Sequence, residues 1–383
     1  MKHRKLKVLM VASVASMIDQ FNMPNICLLQ SMGYEVHVVC NFKEGNTCDE
    51  KQIRKLQQKL TKQKVTWYQW DCPRHILAVQ KCFTAYRQLM CLTQMKHYDW
   101  LHCHSPIGGA LARIVAHKRS IRVIYTAHGF HFYKGAPLKN WILYYPAEKI
   151  LSRWTDVLIT VNDEDYKLAK RKLKAKETYK IPGVGIDMDR FCQSEKNQRI
   201  SFCRKYKIPE HACIFLSVGE LNKGKNHRMV IRALAAMQRQ DLYYLICGQG
   251  ALKMKLKRYA HRLGVSRYVR MPGFQKDMPE IYQNADVFVF PSKREGMPVA
   301  LMEAMASGLP CVVSNIRGSR ELADAKNGKC FSLNSIKQLS DMLEEFADHP
   351  WMRKVNGDFN RKKMSGYSQK VVQQKMKKIY EIL

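Results

Sequence analysis

The stretch Val287-Phe-Val-Phe-Pro-Ser-Lys-Arg-Glu-Gly-Met-Pro-Val-Ala-Leu-Met-Glu303 decides the fold. Its first four residues are apolar and bulky, as expected of a strand buried on both faces of a parallel sheet. A polar loop follows, and Pro298 then suits the first turn of a helix, where its missing N–H costs nothing. A helix start in that position aims backbone N–H groups and a positive dipole end at a bound anion. Glu295 falls in the loop and Glu303 on the helix, eight residues later. A carboxylate at Glu303 can accept both hydroxyls of a ribose, and one at Glu295 can stand beside a sugar or its phosphates. The plain alternative is a solvent-facing helix with two ordinary glutamates.

The same strand–loop–helix rhythm extends in both directions. Short apolar runs occur at Lys7–Ala12, Glu35–Cys40, Trp100–Cys103, Val123–Thr126 and Val157–Val161, then at Ile214–Val218, Tyr243–Cys247, Tyr268–Met271, Val287–Phe290 and Cys311–Ser314. Amphipathic stretches separate them, so the chain reads as α/β with two doubly wound domains of five strands each. The breaker cluster Pro182, Gly183 and Gly185 marks the join. The expected division is residues 1–185, residues 186–367, and a closing helix over 368–383 that packs back on the body. A chain of 383 residues is long enough for two such cores.

In open α/β sheets ligands bind beyond the carboxyl ends of the strands, where the strand order switches. Lys225 follows the run Ile214–Val218 and is placed to neutralise a diphosphate. Gly248 and Gly250 follow Tyr243–Cys247, where they allow close backbone approach to a base or ribose, or make a plain turn. His128 follows Val123–Thr126 beside Gly129, and His131 and His104 are weaker candidates of the same kind. No GxGxxG follows the first strand, where Ser13-Val-Ala-Ser-Met17 stands, and that argues against a dinucleotide enzyme.

Sixty-five Lys and Arg face 32 Asp and Glu, a net charge of +33 spread over both halves. Such a field favours nucleic acid, anionic headgroups or phosphorylated small molecules, and composition alone leaves the three open. No RRM, KH or zinc motif is present, which weighs against nucleic acid. Thirteen cysteines without CxxC pairs, Cys40, Cys48 and Cys72 among them, suit free thiols in a reducing cytosol rather than a disulfide scaffold or metal site. The basic N-terminus followed by Val8–Ser16 imitates a signal peptide but reads as a first strand. No run approaches the ~18 apolar residues of a membrane span. Two basic amphipathic stretches, residues 51–65 and 74–90, fit helices lying on an anionic leaflet.

Several of these segments together resemble family-4 glycosyltransferases. Glu295…Glu303 is similar to the family's Glu-x7-Glu signature, Tyr125-Thr-Ala-His-Gly-Phe130 to its His-bearing loop, and Ile181–Phe191 to its interdomain segment. Ser217-Val-Gly-Glu-Leu-Asn-Lys-Gly-Lys-Asn-His227 is similar to its phosphate loop, and Cys247-Gly-Gln-Gly250 to its nucleotide-side turn. The resemblance implies the GT-B fold, two facing Rossmann-like domains with a cleft, and retaining sugar transfer from a nucleotide-sugar, by family habit UDP-linked. It implies capsule or exopolysaccharide synthesis on a lipid-linked saccharide acceptor, at the inner face of the plasma membrane in the cytoplasm. The resemblance assigns the catalytic roles to His128, Glu295 and Lys225. It assigns nucleotide-sugar binding to Glu303, Gly219, Lys223, Gly248, Gly250, Gly296, Met297, Pro298, Val299 and Arg294.

No metal or other cofactor is expected, because no DxD-like site stands at a strand end. No carboxylate is placed as a nucleophile, so a front-face substitution is expected. One departure stands out: Glu220 occupies the place where many members carry Arg, leaving Lys223, Arg294 and Arg317 as replacement cations. A non-catalytic relative of the fold is the alternative this substitution keeps open.

Overall fold

The computed structural model describes residues 4–45, 49–74, 77–192, 199–323 and 328–382. Cys48, and His75 and Ile76 of the second basic stretch, lie outside them. Two sheets carry the fold, and every strand pairing within them is parallel. The first contains β1 (Lys7–Val11), β2 (Glu35–Cys40), β3 (Thr66–Gln69), β4 (Trp100–His104), β5 (Arg122–Ala127), β6 (Val157–Thr160) and β7 (Glu177–Lys180), in the order β3-β2-β1-β4-β5-β6-β7. The second contains β8 (Cys213–Val218), β9 (Leu242–Cys247), β10 (Val269–Gly273), β11 (Val287–Phe290), β12 (Cys311–Ser314) and β13 (Gly328–Phe331), in the order β10-β9-β8-β11-β12-β13.

The ten runs read from the sequence are all strands, but among the described residues the sheets have seven and six members rather than five each. The additions, β3, β7 and β13, are edge strands of four residues with the sequences TWYQ, ETYK and GKCF. An edge strand meets water on one side, so it lacks the continuous apolar run that marks β4 or β11, whose residues are all buried. The strand order reverses between β1 and β4 in the first sheet and between β8 and β11 in the second. Ligand-binding loops are therefore expected after these four strands.

The chain divides into two compact units, residues 1–184 with 372–383, and residues 185–371. The final helix, Gln369–Tyr380, places Tyr380 in the core of the first unit: its hydroxyl lies 3.0 Å from His102 Nδ1 and its ring 5.4 Å from that of Trp100. Also in the first unit, Arg113 is fully buried beneath the Tyr125 ring and forks onto the Glu148 carboxylate, with Nη2 3.1 Å from Oε2. In the second unit Ile186 pairs with Ser368, and Ile186 N–H donates to Tyr367 O at 3.0 Å.

The two basic stretches form helices Glu50–Lys62 and Val79–Met95. The first is capped by an Asp49–Gln52 capping box and buries Leu56 and Leu60 in its own domain. That side is spent on packing, so this helix keeps only its basic face for an anionic leaflet. The second helix is different, for Val79 and Phe83 near its start are exposed beside Lys81 and Arg87. Among the described residues no helix is long and apolar enough to cross a membrane, and no disulfide forms.

Candidate functional site

The second sheet's switch point brings together the loop after β8 and the loop after β11. Asn222 Oδ1 accepts from Lys225 N–H at 2.9 Å, and Asn226 turns into the left-handed region (φ 55°) to open helix His227–Met237. Asn226 Nδ2 donates to Pro291 O at 3.2 Å, and Lys293 N–H donates to Gly224 O at 2.8 Å, so the two loops are stitched together. Across that seam Lys225 Nζ lies 2.7 Å from Glu295 Oε1, and 4.9 Å from the centre of the Phe290 ring. Two residues expected to act separately, one on phosphate and one beside a sugar, form a partly buried ion pair.

Helix Val299–Ala306 begins just after Pro298, which holds an extended backbone as the cap residue rather than the first helical position. Gly296, Met297 and Val299 are partly buried around that start, and Arg294 and Lys223 are exposed. Arg317 is buried, and its Nε donates to the Glu295 carbonyl at 3.2 Å, which ties it to the Glu295 loop. Glu220 is exposed. Glu303 accepts from the Tyr282 hydroxyl at 2.9 Å. Burial raises the Glu303 carboxyl above its usual range, partly offset by the Tyr282 hydrogen bond and the charge of Arg190. Neither Tyr282 nor Arg190 stands out in the sequence as a site residue, because Tyr282 reads as a core aromatic on another helix.

The glycines of this face have a packing reason. Gly219 N–H donates to Cys247 O at 3.0 Å and Leu221 N–H to Gln249 O at 2.8 Å, so the loops after β8 and β9 run side by side. A Cβ on Gly248 would collide with the Gly219 carbonyl, and one on Gly250 would sit 2.6 Å from Leu221 O. Close approach of one loop to another, not only of a loop to a ligand, requires these two glycines.

In the first unit, His128 follows β5 and is half-buried, with Nε2 3.2 Å from His104 Nδ1. His102 lies beside them, its ring 4.3 Å from that of His104 and its Nε2 2.8 Å from Thr126 Oγ1. Burial holds all three imidazoles below the usual histidine range, His102 at about 3, His128 at about 4 and His104 well below. At neutral pH His128 is thus an uncharged hydrogen-bonding group. His131 lies tilted against Tyr144, with ring centroids 4.5 Å apart.

The first sheet's switch point holds a pair that the sequence reading passed over. Ser13 Oγ, after β1, lies 2.7 Å from Ser105 Oγ, after β4, and accepts from Gly108 N–H at 3.0 Å. Ser105 is held at a φ of 66°. Only the strand order, which places β1 against β4, signals that two serines 92 residues apart belong together.

Comparison with known proteins fits this geometry. Residues 198–363 match the group 1 glycosyl transferase family, and residues 7–162 match the glycosyl transferase 4-like family. EpsD of Bacillus subtilis (strain 168), whose name places it among glycosyltransferases, is 35% identical over 381 residues, covering 98% of this chain and 96% of its own. The Escherichia coli UDP-Gal:alpha-D-GlcNAc-diphosphoundecaprenol alpha-1,3-galactosyltransferase is 29% identical over 289 residues, 72% of this chain and 73% of its own. Anabaena Alr3699/HepE, solved with UDP-glucose, superposes with a TM-score of 0.79 at 14% identity, covering 99% of this chain and 100% of that one.

Two Rossmann-like domains, each a parallel sheet with its own switch point, define the GT-B class. The chain belongs to the family-4 glycosyltransferases of that fold.

Proposed function

We propose that the protein transfers a hexose or N-acetylhexosamine from a UDP-sugar to a lipid-linked saccharide, with retention at the anomeric carbon. The observation that carries this reading is the Lys225–Glu295 pair, 2.7 Å apart at the second sheet's switch point and just ahead of the helix start at Val299. There Lys225 meets the leaving diphosphate together with the N–H groups of the helix start. Glu295, its charge balanced by Lys225, is left to hold sugar hydroxyls. Glu303 takes the ribose.

Retention follows if the departing diphosphate stays on the face it leaves from and accepts the proton of the incoming hydroxyl. The protein then contributes position and charge. His128, neutral at working pH, serves as a hydrogen-bonding group to the donor sugar rather than as a cation. The reading uses Lys225 as the cation and calls for no divalent ion, so chelation by EDTA should leave the rate unchanged.

A UDP-sugar donor is supported by the E. coli relative's name and by the HepE complexes. The same relative's diphosphoundecaprenol acceptor supports a lipid carrier. Membrane contact at an anionic leaflet suits the net charge of +33 and the exposed Val79 and Phe83 among basic residues. The test is release of UDP from a panel of UDP-sugars, with and without a lipid diphosphate-linked saccharide. No release from any donor would overturn the reading.

A further inference from the structure

The loop that carries Lys225 also borders a separate pocket of about 740 Å³, which lies between that loop and helix Lys253–Arg262. Neither Lys225 nor Glu295 lines it. Its walls gather Lys223, Arg228, Lys255, Arg258, Arg262 and Lys293, and no Asp or Glu. Lys255, Arg258 and Arg262 are spaced three and four residues apart and therefore share one face of their helix.

Among the described residues none of these six cations is paired with a carboxylate. Other cations of the same unit are: Arg199 with Asp286, Lys205 with Glu280, and Arg239 with Asp241. The basic excess here is thus concentrated in one concavity and left uncompensated, where like charges repel until an anion enters. Two of the guanidinium groups are also held in place. Arg228 lies 4.2 Å and Arg262 5.5 Å from the centre of the Tyr259 ring. Guanidinium planes fixed in this way lose little freedom on binding and present forked donors to phosphate oxygens.

We propose that this pocket is a second anion site, separate from the Lys225–Glu295 pair, which binds a ligand carrying two or more adjacent phosphates. The number of cations exceeds what a single phosphate needs, and the concave, acid-free wall suits a compact, densely charged ligand better than a flat surface does. The phosphates can belong to a soluble polyphosphate or to a lipid-borne diphosphate, and both present the same oxygens to the pocket.

The test uses the full chain and four forms of it: wild type, Lys255→Ala/Arg258→Ala, Lys55→Ala/Lys59→Ala as a control with equal charge removed from exposed positions elsewhere, and Lys225→Ala. Both pocket positions are exposed, so the fold should be retained, with circular dichroism as the check. One arm titrates inorganic triphosphate by calorimetry near 0.15 M salt. The other measures flotation with phosphatidylcholine vesicles carrying farnesyl diphosphate.

In Lys225→Ala, where the donor site is disabled, binding should saturate at one ligand per chain, and in Lys255→Ala/Arg258→Ala the pocket's binding should weaken at least about tenfold, as expected from the loss of two charge-assisted hydrogen bonds. It should persist in the control and in Lys225→Ala. That dependence in the triphosphate arm assigns a soluble ligand, and in the vesicle arm alone a lipid-borne one. Equal weakening in both double variants, no weakening of the pocket variant in either arm, or loss of binding in Lys225→Ala would overturn the proposal.

Discussion

Lys225 Nζ and Glu295 Oε1 stand 2.7 Å apart, although 70 residues separate them in the chain, because β8 and β11 are neighbours at the point where the second sheet reverses its order. The pairing makes each residue's effect depend on the other. Removing Lys225 takes away a cation for the leaving diphosphate and leaves Glu295 as an uncompensated negative charge in the same place. Lys225→Ala should therefore lower kcat/KM for the donor by roughly 10²–10³-fold, the scale of losing one charge-stabilising donor. Adding Glu295→Gln to Lys225→Ala should cost less than Glu295→Gln does alone, a coupling that steady-state kinetics on the four members of the cycle will show.

Glu303 gives the donor site a pH dependence. Its carboxyl is raised above the usual 4.5 by burial, and only the charged form accepts both ribose hydroxyls. UDP affinity should therefore fall as pH drops through that raised value, with a midpoint above 4.5. In Glu303→Gln this acid limb should disappear and affinity at pH 7 should be lower. The stability sign is the opposite: a raised carboxyl favours the folded state at low pH, and this contribution is lost as pH rises through the folded-state value. Calorimetric titration with UDP across pH 4.5 to 8 checks the binding limb.

Gly248 separates packing from ligand contact. A methyl group there would overlap the Gly219 carbonyl, so the loops after β8 and β9 must part. Gly248→Ala should destabilise the protein by about 3 kcal/mol or more, with or without UDP present. Urea denaturation measures this. An unchanged midpoint would mean that the loops do not approach as closely as described.

The buried histidines predict acid sensitivity. His102 and His104 are shielded from water and depressed well below the ordinary 6.5. A depressed imidazole contributes stability that is present above the unfolded value and lost as pH falls toward the folded one. Together with His128, these groups should make the unfolding free energy fall as pH drops below the ordinary histidine value. His102→Gln should reduce that slope, as read from urea midpoints at several pH values.

How much of this was legible in the sequence follows from burial and chain distance. Central strands are buried on both faces and write continuous apolar runs, so β1, β4, β8 and β11 could be read directly. The edge strands β3, β7 and β13 could not, because half-exposed pleats of four residues look like loops. Lys225, Glu295 and Glu303 were visible as residues, but their contacts were not. The ion pair depends on sheet order, and Tyr282 reaches Glu303 from a neighbouring helix. The Ser13–Ser105 contact was hidden for the same reason. The basic helix Glu50–Lys62 was read correctly as amphipathic, yet its apolar side turned out to face its own core, since a periodic pattern shows that a face is buried without showing against what.

The measurement that bears most directly on the central claim is release of UDP from UDP-sugars by the purified chain, compared between wild type and Lys225→Ala. Turnover is expected with at least one UDP-hexose or UDP-N-acetylhexosamine, stimulated by a lipid diphosphate-linked acceptor and reduced roughly 10²–10³-fold by the substitution. Turnover that is unchanged in Lys225→Ala would contradict the central claim.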